Sequence, residues 1–202
     1  MRTCLLGIYA FEDENVVEKN TCNVCKVTHF DDRCVVSCHL VTSIIRKELC
    51  FAKEGKKAVC SQILEESLAK SIEFLSKYQS ELQLDENVAT KNREELLFYC
   101  AKERDLVDLE LGERNTIGYT YKCLGSGIWA YLNKEAGQFK SILTTLIKEG
   151  GDSDTNAAVA GALLGCKIGY TNLPKEWLSG LLYKRYLDER VVAFLGKMGY
   201  KF

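Results

Sequence analysis

Apolar positions recur at helical spacing along most of this chain. In 31–50, DDRCVVSCHLVTSIIRKELC, the residues Cys34, Cys38, Val41, Ile45 and Leu49 fall three or four apart. Asp31 and Asp32 stand at the end of that segment where a helix dipole favours carboxylates. Between 56 and 78, Cys60, Ile63, Leu64, Leu68, Ile72 and Leu75 make an apolar stripe, with Glu65, Glu66, Lys70 and Glu73 on other faces. The stretch 79–118 is less regular and predicts one short helix, 92–102, between polar loops. Segments 120–132, 136–148 and 184–198 read as helices, and Phe139, Leu143, Leu146 and Ile147 mark the buried face of the second of these. The pattern predicts an all-α fold.

The segment KEGGDSDTNAAVAGALLGCKIGY, 148–170, predicts a different kind of helix. Ala157, Gly161, Gly165 and Gly169 are four apart and give one face almost no bulk, while Val159, Leu163, Leu164 and Ile168 make the rest apolar. Such a helix belongs in the middle of a bundle, because each interior glycine costs up to about 1 kcal/mol relative to alanine and packing must offset that. It is expected to start at Asp154 or Thr155, with Asp152 just outside, so that both carboxylates meet a buried helix N-terminus. Two readings fit this pattern. One is a capped helix start with one solvated aspartate. The other is a hard cation with oxygen ligands, Mg²⁺ being the obvious candidate, which would offset the cost of two buried negative groups.

Composition narrows the classes. A chain of 202 residues suits one domain with a substantial core. The net charge of −1 creates no global attraction for nucleic acid or an anionic membrane. A single proline, Pro174, suits helices and argues against a turn-rich β-sandwich. The opening MRTCLLGIYAFEDE is too short for a span and ends in acids, unlike a secretion signal, which points to a cytoplasmic protein with reduced thiols. Cys22-x-x-Cys25 and Cys34-x-x-x-Cys38 could hold zinc, yet all four sit at helical spacing, and buried thiols on helix faces are the simpler reading. His39, one turn beyond Cys34 and Val35, reads as structural; so does His29 on its residue type alone.

GGDSDTNAAVAGALLGCKIGYTNLPKEW resembles the C-terminal signature of the ADP-ribosylglycohydrolase family, of the dinitrogenase reductase-activating glycohydrolase type. That signature is a Gly-Gly-Asp-x-Asp-Thr segment, a small-residue helix and a Leu-Pro-x-x-Trp turn. VTHFDDR (27–33) is similar to the family's Thr-His-x-Asp segment, GYTYKCLGSGIWAY (118–131) to its Gly-Tyr helix, and MRTCLLGIY to an internal Met-Arg stretch. The resemblance runs from Met1 to about Met198 and implies an all-α, ADP-ribosylglycohydrolase-like bundle in a single domain, 1–202.

It also implies chemistry: a binuclear Mg²⁺ site that hydrolyses the glycosidic bond joining ADP-ribose to a protein side chain or small acceptor. Two cations can position ribose hydroxyls and activate a water for attack at the anomeric carbon. By position, Asp152, Asp154 and Thr155 match metal ligands, His29 matches the histidine beside the ribose, and Tyr119 matches a residue on the nucleotide side of the cleft. The implied partner is an ADP-ribosylated protein or an ADP-ribose-containing small molecule, with no nucleic acid or membrane. The family's N-terminal Gly-Asp motif and Thr-Asp-Asp element have no counterpart, since the Asp31-Asp32 pair follows phenylalanine. The domain is thus expected to be N-terminally truncated, with half a metal site and weak or absent hydrolysis. The alternative is a catalytically inactive descendant that binds ADP-ribose or serves as a structural or interaction protein.

Overall fold

The structure, a computed structural model, describes residues 1–133 and 139–200. After a 3-10 turn at Arg2–Gly7 come α1 (Glu14–Lys26), α2 (Asp32–Lys53), α3 (Cys60–Glu81) and α4 (Glu86–Tyr99). Two short 3-10 turns lie in the loop that leads to α5 (Thr120–Leu132). Then follow α6 (Phe139–Lys148), α7 (Ser153–Ile168), α8 (Lys175–Ser179) and α9 (Lys184–Lys197). No strand occurs among the described residues, so the all-α expectation holds.

Helix starts follow the capping chemistry. The Asp13 side chain accepts from the Val16 amide at 3.2 Å to open α1, and Asp31 accepts from the Arg33 amide at 2.9 Å to open α2. Asp85 accepts from the amides of Asn87 and Val88, which sets the start of α4 six residues ahead of the expected 92. That first stretch, ENVATK, is largely exposed and carries no apolar stripe, so periodicity alone could not find it. The expected 136–148 helix is seen as α6; its residues 136–138 lie outside the described residues.

α2 is the central element, packed by α1, α3, α5, α7 and the first 3-10 turn, with Val35, Val36, Leu40 and Ile44 wholly buried. Gly7 allows the turn to lie against it, because a Cβ there would come within 2.7 Å of the Thr42 carbonyl oxygen. The main core joins α2, α3, α5 and α7, and a second core forms where Leu106, Leu109 and Leu111 meet α5, α6 and α7.

α7 differs from expectation in two ways. It begins one residue earlier, at Ser153, and its first turn is not buried: Asp154 is exposed and Asp152 half-buried. The close helix approach also rests on another helix. A Cβ on Gly127 of α5 would sit 3.0 Å from Val159, whereas one on Gly161 would make an ordinary contact at 3.5 Å with Leu143. Gly127 of α5, rather than a glycine of α7, lets α5 and α7 press together. Beyond α7 the packing thins: α8 and α9 bury no residue, and Leu182 and Tyr183 are 89% and 76% exposed.

Candidate functional site

Four stretches of chain meet at one cleft of about 750 Å³: the N-terminal residues Met1–Thr3, the turn between α1 and α2 with the helix ends beside it, the start of α5 and the start of α7. His29, Tyr119, Asp152 and Thr155 line it; Asp154 does not.

The turn is held from below. His29 N–H donates to the Cys25 carbonyl at 2.9 Å, closing the end of α1. The Thr28 hydroxyl accepts from Arg2 Nη2 at 2.9 Å and lies 2.8 Å from His29 Nδ1. Thr28 occupies Nδ1, and the exposed ring leaves Nε2 open to a ligand oxygen. Asp31 grips Arg33 with two bonds, at 3.0 and 2.8 Å, and that guanidinium holds the Asp31 carboxyl below the usual aspartate range. Asp32 turns the other way. It is buried, with Gln79 and Asn92 donating to its carboxylate, and is a structural anchor.

Tyr119 stands at the start of α5. Its hydroxyl donates to Glu95, its ring lies 5.7 Å from the Arg33 guanidinium, and Tyr99 and Tyr121 pack against its edges. Burial, then the Glu95 hydrogen bond, raises its pKa, so it remains a neutral phenol. The loop before it is tied to α5 by Lys122, whose ammonium donates to the Glu110 carbonyl and the Thr116 hydroxyl.

The start of α7 is placed by Gly151. At φ +68 its missing side chain faces the Leu111 carbonyl oxygen, which a Cβ would approach to 2.0 Å. Only glycine fits that turn. Asp152 then lies against Gly118, where a Cβ would come 3.6 Å from its Oδ2. The neighbouring Asp152 carboxyl, then the Thr155 amide that donates to Asp154 at 2.9 Å, hold the Asp154 pKa below its ordinary value.

Two carboxyls in contact beside a hydroxyl are hard oxygen donors, the class that Mg²⁺ takes. They fit part of a shell and not a whole one: among the described residues no group of three or more His, Cys, Asp or Glu side chains is placed to hold a metal. The same holds for Cys22, Cys25, Cys34 and Cys38, which gather around Val35 and Tyr78 as free thiols. His39 is structural as expected, buried between Ser71 Oγ at 2.8 Å and Glu18 at 3.3 Å. Periodicity did not reveal that Cys25, Cys34, Cys38 and Cys123 line the cleft. The available signal was Cys34 and Cys38 lying one turn apart just after the Thr-His segment.

The sequence pattern of the ADP-ribosylglycohydrolase family matches residues 1–200. The ADP-ribosyl-dinitrogen reductase glycohydrolase of Rhodospirillum rubrum is 41% identical over 63 residues, 30% of this chain and 21% of that protein. An ADP-ribosylarginine hydrolase of Serratia proteamaculans is 32% identical over 90 residues, 45% of this chain and 22% of the relative. The chain therefore matches about a fifth of the length of these curated relatives. No solved structure matches it. No helix among the described residues is long and apolar enough to cross a membrane.

Proposed function

The chain belongs to the ADP-ribosylglycohydrolase family, and from that premise we propose that it forms the C-terminal part of a site that hydrolyses the bond between ADP-ribose and a protein side chain or small acceptor. The observation that supports this reading is the convergence of His29, Tyr119, Asp152 and Thr155, from three separate segments of the chain, on one cleft large enough for a nucleotide sugar.

In this reading each residue has a modest task. The exposed His29 imidazole donates from Nε2 to a ribose or diphosphate oxygen. The Tyr119 ring, its hydroxyl taken by Glu95, offers an apolar wall to the nucleotide. Asp152 accepts from ribose hydroxyls at the opposite end. The family is generally metal-dependent. We assign Mg²⁺ to Asp152, Asp154 and Thr155, where a divalent cation would supply Lewis-acid polarisation and a more acidic water. Three donors fall short of the six or so oxygens each Mg²⁺ takes, so the reading gives the remaining carboxylates to a segment outside these residues, on the same chain or a partner. The setting is a reducing, cytoplasmic one, in keeping with ten free thiols.

One observation favours the second reading, a protein that binds ADP-ribose without cleaving it: Asp154 is exposed and outside the cleft. One experiment separates the two. A family segment carrying the Gly-Asp and Thr-Asp-Asp elements is fused ahead of this chain, and release of ADP-ribose from a modified protein is followed with Mg²⁺. The hydrolase reading expects release that Asp152→Asn abolishes. ADP-ribose binding that His29→Ala weakens, without release, selects the binding protein.

A further inference from the structure

We propose that Cys25 and Cys38 form a peroxide-sensitive dithiol that closes into a disulfide across the floor of the cleft, a modification site that does not depend on the ADP-ribose reading. Cys25 lies in the last turn of α1 and Cys38 in the second turn of α2, neighbouring helices whose packing puts both thiols in one apolar cluster with Val35 and Tyr78, close enough that each shifts the other's pKa. Both residues line the cleft, so a small dissolved oxidant has a path to them.

Their surroundings give the two sulfurs different parts. The Thr3 hydroxyl donates to Cys38 Sγ at 3.2 Å, while the Cys25 thiol donates to the His29 carbonyl at 3.6 Å. The neighbouring Cys25 thiol and the Thr3 hydroxyl stabilise the thiolate, and the Cys38 pKa falls below that of an ordinary thiol. Elsewhere burial does the opposite, pushing Cys22 up to about 11 and Cys166 up to about 12. A cleft-facing thiolate beside a resolving thiol is the arrangement that oxidises selectively.

The chemistry closes on hydrogen peroxide as oxidant. The Cys38 thiolate attacks one peroxide oxygen, the O–O bond breaks, and the departing hydroxide takes the Cys25 proton and leaves as water. The Cys25 thiolate then attacks the Cys38 sulfur of the sulfenic acid. The S–S bond forms, the S–O bond breaks, and hydroxide leaves with a proton from solvent as a second water. Two thiols give up two electrons and one peroxide becomes two waters.

The test is peptide mass spectrometry on the full chain after a small excess of hydrogen peroxide, with remaining thiols alkylated. Trypsin releases 20–26, which carries Cys22 and Cys25, and 34–46, which carries Cys34 and Cys38. The expected product joins these peptides at two hydrogens below their summed mass, reverts with dithiothreitol, and fragments to a Cys25–Cys38 bond. It persists in Cys22→Ser and in Cys34→Ser. In Cys25→Ser the link is lost and dimedone labels Cys38. Should Cys25→Ser not fold, the fragment assignment in the unaltered chain still decides. A bond mapped to another pair overturns the proposal, as does peroxide treatment that leaves 20–26 and 34–46 unlinked.

Discussion

Asn92 donates to both carboxylate oxygens of Asp32, at 2.9 and 3.0 Å, tying α4 to the start of α2 behind the cleft. Both residues are buried, and Gln79 adds one more bond to Asp32 at 2.7 Å. Asn92→Ala removes two of these donors and leaves buried acceptor atoms unpaired, at a cost of about 1–3 kcal/mol. Urea unfolding should show that loss, while Asn87→Ala, on the exposed side of α4, stays within about 0.5 kcal/mol of the parent. Equal effects from the two would mean that the amide cage around Asp32 contributes nothing.

The two glycines before Asp152 should behave differently. Both have positive φ, +77 at Gly150 and +68 at Gly151, but a Cβ at Gly150 meets open space and one at Gly151 meets the Leu111 carbonyl oxygen. Gly150→Ala is expected to cost about 1–2 kcal/mol, the penalty for a left-handed alanine. Gly151→Ala adds overpacking of about 1–3 kcal/mol and pushes Asp152 away from Gly118. Thermal unfolding of the pair checks the ranking; Gly150→Ala as damaging as Gly151→Ala would contradict it.

These residues also show where the sequence is legible. The stripe Cys34, Cys38, Val41, Ile45 and Leu49 announced α2, because a helix half-sunk in a core must repeat its apolar face. The first turns of α4 had no such stripe and were legible only through Asp85 as a cap. The small-residue pattern of α7 identified a packed helix but not its partner. Which glycines face a neighbour depends on how helices rotate against each other, and here Gly127 of α5 makes the close contact. For the site, the residue types at 29, 119, 152 and 155 were readable in the chain. Their meeting at one cleft was not, because it depends on the Gly151 turn and the Lys122 tether. The thiols beneath were legible as buried on helix faces but not as lining the cleft, because a cysteine on an apolar stripe looks the same whether it faces the core or a cavity wall.

The Asp31–Arg33 pair predicts an acid-side loss of stability. Arg33 holds the folded-state pKa of Asp31 below its unfolded value of about 3.9. A carboxyl shifted in that direction contributes stability that is present above the unfolded pKa and disappears as pH falls through the folded one. Unfolding midpoints measured from about pH 6 downward should therefore decline below about pH 4. Asp31→Asn should decline less, and both slopes should draw together at about 1 M salt, because the pair is partly exposed. Parallel slopes for the two proteins would remove Asp31 from the account.

α9 buries none of its residues, and Val191 and Val192 are 46% and 50% exposed. Exposed apolar patches bind hydrophobic dyes and favour association. Substituting both valines by lysine should lower dye fluorescence and slow any concentration-dependent sedimentation, with stability unchanged within about 0.5 kcal/mol. Unchanged dye signal would place the sticky surface elsewhere.

The partial oxygen shell at Asp152, Asp154 and Thr155 sets how much Mg²⁺ can do for this chain. A hard dication wants about six oxygens, and these residues offer two carboxyls and a hydroxyl with water for the rest, which points to a dissociation constant on the order of millimolar. Ligand at its dissociation constant stabilises by RT ln 2, about 0.4 kcal/mol. Millimolar Mg²⁺ should therefore shift the unfolding midpoint only slightly, and Asp154→Ala should erase even that shift. Protons compete with Mg²⁺ for carboxylate oxygens, so its affinity should fall as pH is lowered toward about 4. Calorimetry that returns micromolar affinity, abolished by Asp154→Ala, would mean that the shell is complete within this chain and would overturn the assignment of its missing ligands to another segment.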